Sequence, residues 1–199
     1  MPGAHNGLAA LQARSAGFEA VYLSGAAMSA SMGLPDLGII TIDDVCFFIR
    51  QVARAGGVPV LVDGDTGHGE ALNVMYMVRA FEDAGAAAVH IEDQILPKKC
   101  GHLQDKKMAS ADEMVTRIRA AVQARREMLI IARTDAFESE GLEGAILRSR
   151  RYLDAGADAI FPEALTSEAL FREFASRVDA PLLANLTEFG LTPAFTAAA

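Results

Sequence analysis

Val58-Pro-Val-Leu-Val-Asp-Gly-Asp-Thr-Gly67 decides the fold, because it is an apolar run that ends abruptly in two carboxylates, Asp63 and Asp65. A short β-branched run without polar alternation is typical of a strand buried in a parallel sheet. A second such run ends in Glu92-Asp93, and the loop after it contains Pro97-Lys-Lys-Cys-Gly-His102. Acidic strand ends followed by a cysteine among cations suggest a metal site that faces a mobile acid.

Outward from this stretch, one pattern recurs: a helical segment ends in glycine, and a short β-branched run follows at once. Glycine after a helix supplies the left-handed cap that ends it. The pattern predicts helices near 6–16, 42–55, 70–84, 111–125, 142–155 and 167–177. It predicts strands near 19–23, 58–63, 87–92, 128–133, 158–162 and 181–185, after a stub strand at 1–4.

Nearly every predicted strand ends in a polar residue, which favours an α/β fold of the (β/α)8 barrel type. In such a barrel the carboxyl ends of the strands converge on the face that carries the active site. A dinucleotide-binding fold is disfavoured, because the glycine-rich segment 64–69 carries an acid where a pyrophosphate would lie. Since a full barrel has about 250 residues, we expect residues 1–199 to form a single, incomplete barrel domain without its eighth strand.

Composition excludes several classes of protein. The chain has 199 residues, 51% of them hydrophobic, and a net charge of −8, which argues against nucleic acid as a partner. No apolar run approaches the roughly 20 residues of a membrane span. The two cysteines, Cys46 and Cys100, imply neither a disulfide framework nor a zinc site, so a reducing cytoplasmic location is expected.

Asp63 and Asp65 are the candidate metal ligands. Carboxylates two residues apart at a strand end can point into one pocket, and hard oxygen ligands suit Mg²⁺, with Mn²⁺ as a possible substitute. Glu92 could hold a metal-bound water, and Asp36 could lie in the next layer of ligands. The alternative is an Asp-Gly turn with solvated acids.

Cys100 lies in a connection, about residues 94–109, that is long enough to act as a lid. Neighbouring cations would favour its thiolate and attract an anionic substrate. The alternative is a solvated, lysine-rich loop with an incidental cysteine. Arg133 either pairs with Glu163 or Asp135 or binds a substrate carboxylate, and the sequence leaves this open.

Several motifs in order along the chain resemble the isocitrate lyase and phosphoenolpyruvate mutase superfamily, in particular its methylisocitrate lyase branch. They are Tyr22-Leu-Ser-Gly25, Gly33-Leu-Pro-Asp-Leu-Gly38, Val62-Asp-Gly-Asp-Thr-Gly67, His90-Ile-Glu-Asp-Gln94, Lys98-Lys-Cys-Gly-His102, Ala132-Arg-Thr-Asp-Ala136, Phe161-Pro-Glu-Ala164 and Ala184-Asn-Leu-Thr-Glu-Phe-Gly190. The Lys-Lys-Cys-Gly-His loop is the most specific of these motifs.

The resemblance implies a Mg²⁺-dependent retro-aldol cleavage of a 2-hydroxy tricarboxylate to pyruvate and succinate. It implies that Asp63 and Asp65 carry the metal, that Cys100 is the general acid and that Tyr22 is a reasonable choice of base. Glu92 is the third expected catalytic residue, and Asp36 and His90 are expected to lie directly behind the residues that bind metal or substrate. The substrate-binding positions that it implies are Ser24, Gly25, Ala26, Gly101, His102, Arg133, Glu163, Asn185 and Thr187. Ala26 departs from the branch, which commonly has glycine there.

Members of the family continue past the position of residue 199, with an eighth strand, further substrate-binding arginines and a C-terminal helix exchanged within a homotetramer. Two alternative functions therefore stand beside the lyase. One is a mutase that acts on a C–P bond, although the mutase proper lacks this cysteine loop. The other is a truncated, non-catalytic fragment that binds metal or a full-length partner.

Overall fold

The computed structural model describes residues 1–103, 105–187 and 190–194, and these contain a parallel sheet flanked by helices. The strands are β1 (Val21–Leu23), β2 (Val60–Asp63), β3 (Ala88–Glu92), β4 (Leu129–Thr134) and β5 (Ala159–Pro162). The helices are α1 (Gly7–Ser15), α2 (Gly25–Ser31), α3 (Ile42–Gly56), α4 (Ala71–Ala84), α5 (Ala111–Ala124), α6 (Phe137–Asp154) and α7 (Glu168–Arg177). None of these helices is both long and apolar enough to cross a membrane.

The five strands pair in chain order, as a (β/α)-type fold requires. Isolated parallel bridges extend the sheet at both edges, from Gly3 to Tyr22 and from Ile160 to Leu182. The predicted strands at 1–4 and 181–185 are thus single bridges. Within the described ranges the sheet is open, as expected for an incomplete barrel.

The register of the strands brings the polar strand ends together. Asp63 pairs with His90, and Glu92 pairs with Arg133. Because side chains alternate across a strand, these residues share one face of the sheet. The apolar part of that face is a small cluster of Leu61, Ile131 and Phe161, whereas the main core lies between the sheet and the helices.

Helix boundaries follow the local signals in the sequence. The segments Thr41–Asp44 and Ser110–Glu113 form reciprocal capping boxes, with backbone and side-chain bonds in both directions. Gly57 and Gly85 adopt left-handed conformations, with φ of 61° and 109°, and end α3 and α4. These boundaries confirm the predicted alternation of helices and strands.

Two helical segments differ from the prediction. Helix α2 was not predicted, because its seven residues, Gly25–Ser31, lack an amphipathic pattern. The predicted helix at 142–155 is confirmed, but a short helical turn at 137–140 precedes it and was not predicted; α6 joins the two across a kink at Gly141, whose backbone is not helical. Both corrections matter for function, because α2 and the first turn of α6 flank the polar strand ends.

Candidate active site

A cavity of about 100 Å³ lies at the carboxyl ends of the strands, beneath the loop that contains Cys100. It is lined by Tyr22, Ser24, Ala26, Asp36, Asp63, Lys98, Cys100, Gly101, His102, Arg133, Glu163, Asn185 and Thr187. All but Lys98 were singled out from the sequence as site residues. Four further predicted residues, Gly25, Asp65, His90 and Glu92, lie next to these lining residues.

Asp63 is a buried carboxylate held from two sides. Its Oδ2 accepts a hydrogen bond from the Gly25 N–H at 3.0 Å and lies 3.3 Å from the Tyr22 hydroxyl, and its Oδ1 accepts one from the Asp65 N–H at 3.0 Å. Burial alone would raise the pKa of Asp63, but its interactions with His90, when that ring is protonated, and with the cations Lys98 and Arg133 hold the pKa well below the usual range. Asp63 is therefore an anion that points into the cavity.

Helix α2 brings the Ser24–Ala26 segment against this carboxylate. The Ser24 side chain accepts a hydrogen bond from the Ala27 N–H at 3.4 Å and caps the helix. A Cβ on Gly25 would lie 2.9 Å from Asp63 Oδ2, so a larger residue could not make this approach. The serine cap was the signal in the sequence that could have revealed α2.

Lys98 neutralises the neighbouring acids. Its side chain is only 3% exposed, and its Nζ lies 2.6 Å from Asp36 Oδ1 and 2.7 Å from Asp65 Oδ1. Burial and the charge of Asp63 raise the pKa of Asp65 to about 6, and Lys98 opposes this shift. Lys98 is therefore paired with protein carboxylates, whereas the sequence had grouped it with the cations that attract a substrate.

Glu92 is a buried carboxylate whose oxygens lack hydrogen-bond donors in the described part of the chain. Its nearest cation is Arg133, whose Nη2 lies 3.4 Å from Oε2. Burial raises the pKa of Glu92 well above its usual value. Such a carboxylate needs a donor or a cation to compensate its desolvation.

The acids fit a hard divalent cation. In the described part of the chain no group of three or more His, Cys, Asp or Glu residues forms a closed metal cage. Mg²⁺ does not require one, since it usually binds one or two carboxylates and completes its shell with water and substrate oxygens. Asp63 at the cavity wall and the neighbouring Asp65 match this donor set, and the unbonded oxygens of Glu92 can accept hydrogen bonds from a metal-bound water.

Arg133 is surrounded by carboxylates. Its Nε and Nη2 each lie 3.0 Å from an oxygen of Asp135, and Nη2 also lies 3.3 Å from Glu163 Oε2. The guanidinium stands 5.2 Å from the centre of the Phe161 ring. The sequence left open whether Arg133 pairs with protein acids or faces a ligand; the structure shows these pairs and also places Arg133 in the cavity lining.

Tyr22 and His90 form a hydrogen-bonded pair behind Asp63. The Tyr22 hydroxyl lies 3.0 Å from His90 Nε2. Burial raises the pKa of Tyr22 well above its usual value and lowers that of His90 to about 4. Both side chains are therefore neutral near pH 7, and Tyr22 is a protonated phenol that donates to one of these two neighbours.

Hydrogen bonds join the two ends of the lid. The Gln94 side chain donates to the Lys99 carbonyl and accepts from the Lys99 N–H, both at 2.9 Å. Gln94 also bridges to Met108, and the Ile95 N–H donates to the Lys107 carbonyl. These bonds connect the beginning and the end of the predicted lid, about residues 94–109. The lid carries the half-buried free thiol of Cys100.

The tip of the lid contacts Glu163, directly after β5, and Thr187, which follows α7 in the chain. His102 Nε2 lies 3.3 Å from both Glu163 Oε1 and Thr187 Oγ1. The Asn185 amide donates to Glu163 Oε2 at 3.3 Å. Glu163 therefore joins the lid to the Asn185–Thr187 segment; the Glu188 and Phe189 of the matching motif lie outside the described residues.

Comparisons with known proteins agree with this geometry. The sequence profile of the phosphoenolpyruvate phosphomutase family matches residues 1–198. The chain is 58% identical over 195 residues to the 2-methylisocitrate lyase of Aeropyrum pernix and 54% identical over 197 residues to that of Bacillus subtilis. These alignments cover 98% and 99% of this chain but 63% and 65% of the relatives, so the chain spans less than two thirds of their length.

Solved structures show the same fold. The crystal structure of 2,3-dimethylmalate lyase matches with a TM-score of 0.95 and 42% identity, and the match covers 99% of this chain and 68% of that one. A phosphonopyruvate hydrolase in complex with oxalate and Mg²⁺ matches with a TM-score of 0.83 and 33% identity over 92% of this chain and 65% of that one.

Proposed function

Because the chain belongs to the phosphoenolpyruvate phosphomutase family, we propose that it carries the active-site part of a carbon–carbon lyase. Its substrate is 2-methylisocitrate, which it cleaves to pyruvate and succinate, or a related 2-hydroxy di- or tricarboxylate that it cleaves by the same retro-aldol reaction. The observation that carries the proposal is that the lid thiol of Cys100 and the carboxylate of Asp63 line one cavity. The high identity to two 2-methylisocitrate lyases supports the choice of substrate.

The reaction requires stabilisation of two charges. Removal of the hydroxyl proton creates an alkoxide, and cleavage of the C–C bond then leaves a carbonyl on one fragment and a carbanion beside a carboxylate on the other. Mg²⁺, when bound, supplies Lewis-acid stabilisation of the hydroxyl and carboxylate oxygens of the pyruvate half. Asp63 and Asp65 would hold it, with Glu92 accepting hydrogen bonds from its water and Asp36 supporting the site through Lys98.

Proton transfer falls to groups on opposite sides of the cavity. The Cys100 thiol donates its proton to the carbanion of the succinate fragment and becomes a thiolate. We assign the base to Tyr22, which takes the hydroxyl proton as it passes its own to His90 Nε2, 3.0 Å away. This relay requires the tautomer of His90 that carries its proton on Nδ1, the nitrogen without a hydrogen-bond partner among the described residues.

Recognition of the substrate carboxylates falls to the donors around the cavity. Arg133 supplies the buried cation, and its pairs with Asp135 and Glu163 fix the plane of the guanidinium. Further hydrogen-bond donors surround the cavity. They belong to the Ser24–Ala26 segment, to Gly101 and His102 of the lid, and to Asn185 and Thr187.

The decisive experiment incubates the purified 199-residue chain with 2-methylisocitrate and Mg²⁺ and follows the formation of pyruvate, beside a parallel assay with a phosphonate. We expect pyruvate and succinate in equal amounts, and loss of nearly all turnover in Cys100→Ser with an unchanged melting temperature. Reaction of the phosphonate without lyase products would overturn the proposal in favour of C–P chemistry. Absence of both reactions, with Mg²⁺ still bound, would favour the non-catalytic fragment.

Assembly and location remain predictions. The family resemblance predicts a homotetramer, which light scattering coupled to gel filtration would test on this chain. Both cysteines are free thiols, which supports the expectation of a reducing, cytoplasmic location.

A further inference from the structure

Lys106 is a buried cation inside the lid that the reaction scheme does not use. Its side chain is 3% exposed. Its Nζ donates to the carbonyl of Gly101 at 2.7 Å and to that of Leu103 at 3.1 Å, and it lies 2.8 Å from Glu138 Oε2. An ammonium group has three N–H donors, so these three acceptors match its full hydrogen-bonding capacity.

Two of the three acceptors of Lys106 lie within the lid, and the third lies outside it. Gly101 stands between Cys100 and His102, so a bond to its carbonyl fixes the backbone beside the thiol. Glu138 belongs to the first turn of α6, outside the lid. The Lys106 side chain therefore bonds two carbonyls of the lid and also connects the lid to helix α6.

Two other charged contacts of the lid involve residues of the cavity. His102 reaches Glu163, and Lys98 reaches Asp36 and Asp65, all of which are site residues in the proposed reaction. Lys106 and Glu138 are absent from the cavity lining. Their pair can thus be altered without replacing any residue that would bind metal or substrate.

We propose that Lys106 is a positioning residue that clasps the lid to α6 and so holds the Cys100 thiol over the cavity. Loss of the clasp lets the lid open more often, which exposes the thiol and removes it from the place where it donates a proton. The kinetic part of this inference rests on the proposed lyase function, whereas the exposure of the thiol does not.

The first measurement is the rate at which iodoacetamide alkylates Cys100, followed by mass spectrometry on the native chain. The buried Cys46 serves as an internal control for global unfolding. We expect Lys106→Met to speed alkylation of Cys100 by about tenfold or more, since bonds to a charged donor are lost. Lys107→Met is the matched control, because it removes an adjacent but exposed lysine, and it should leave the rate unchanged.

Glu138→Gln separates the anchor on α6 from the bonds within the lid. It keeps a polar side chain but removes the charge, so we expect alkylation to speed up by about threefold. Equal alkylation rates in Lys106→Met, Glu138→Gln and Lys107→Met would overturn the proposal. The Glu138 variant also keeps the test valid if Lys106→Met fails to fold.

The second measurement is steady-state turnover of 2-methylisocitrate. In Lys106→Met we expect kcat to fall by about tenfold and KM to rise by no more than about threefold, because the acid is displaced while only Gly101 and His102 among the binding groups move with the lid. Lys106→Arg should recover part of kcat. If the unsubstituted chain shows no turnover, the proposed function fails, and the alkylation rates still decide whether the clasp exists.

Discussion

Gly101→Ala tests how closely the lid must approach the strand ends. A Cβ at this position would lie 2.7 Å from Asp135 Oδ1 and closer still to Arg133 Nη2 and Glu163 Cγ, whereas ordinary contact begins at 3.4 Å. The φ of Gly101 lies outside the left-handed region, so alanine itself adds no backbone strain there. The three neighbours are buried and bonded to one another, so the lid is the part that has to retreat, by about 1 Å.

A misplacement of about 1 Å in a positioning element can cost about 100-fold in rate. We therefore expect kcat/KM for 2-methylisocitrate to fall by about 100-fold in Gly101→Ala, which corresponds to about 2.7 kcal/mol of transition-state stabilisation. The free energy of unfolding should change by less than about 1 kcal/mol, because the displaced segment is a surface loop.

The assay couples pyruvate formation to NADH oxidation by lactate dehydrogenase, and urea denaturation measures stability on the same preparations. Gly3→Ala is the control, since a Cβ there would meet no atom within 4 Å. A kcat/KM within about threefold of the unsubstituted chain would refute the reasoning, because it would show that the lid does not seat against Arg133 during catalysis. Loss of stability in proportion to activity would refute it too.

Three further predictions concern the buried charges. Asp63→Asn should weaken Mg²⁺ binding in isothermal titration calorimetry by at least about tenfold, since even indirect metal partners are worth this much; an unchanged Kd would contradict its role as a ligand. Arg133→Met should lower the free energy of unfolding by about 3–5 kcal/mol in urea because it leaves Asp135 unpaired, whereas the exposed Arg126→Met should not. Burial, with the charge of Asp135, raises the pKa of Asp93 from 3.8 to about 6, so this group contributes stability below about pH 4 that is lost as the pH rises through about 6. Asp93→Asn should flatten that decline, and an unchanged pH slope would contradict the shift.

Local sequence signals were sufficient for most of the secondary structure. Capping boxes and terminal glycines act over a few residues, so the boundaries of α3, α4 and α5 could be read directly. Helix α2 was missed because a seven-residue alanine-rich segment has no periodic apolar face. The outer strands were overestimated, since each finds a partner on one side only and forms a single bridge in the described residues.

The candidate site was predictable in outline for a similar reason. Parallel strands end at a common edge, so polar residues at successive strand ends had to meet once the alternation of helices and strands was recognised. This argument placed Asp63, Glu92, Arg133 and Glu163 together without any knowledge of their contacts. It could not assign partners among them, because one guanidinium stands between three carboxylates that the sequence separates by up to 71 positions.

The sequence by itself therefore determined the alternating fold, the edge of the sheet that bears the site and the types of residue found there. Only the tertiary structure decided which charges compensate one another. Lys98 and Lys106 belong to the same polar loop, yet one is buried against Asp36 and Asp65 and the other against Glu138. The physical reason is that caps and strand patterns depend on neighbours along the chain, whereas the burial of a charge depends on acceptors that distant segments bring to it.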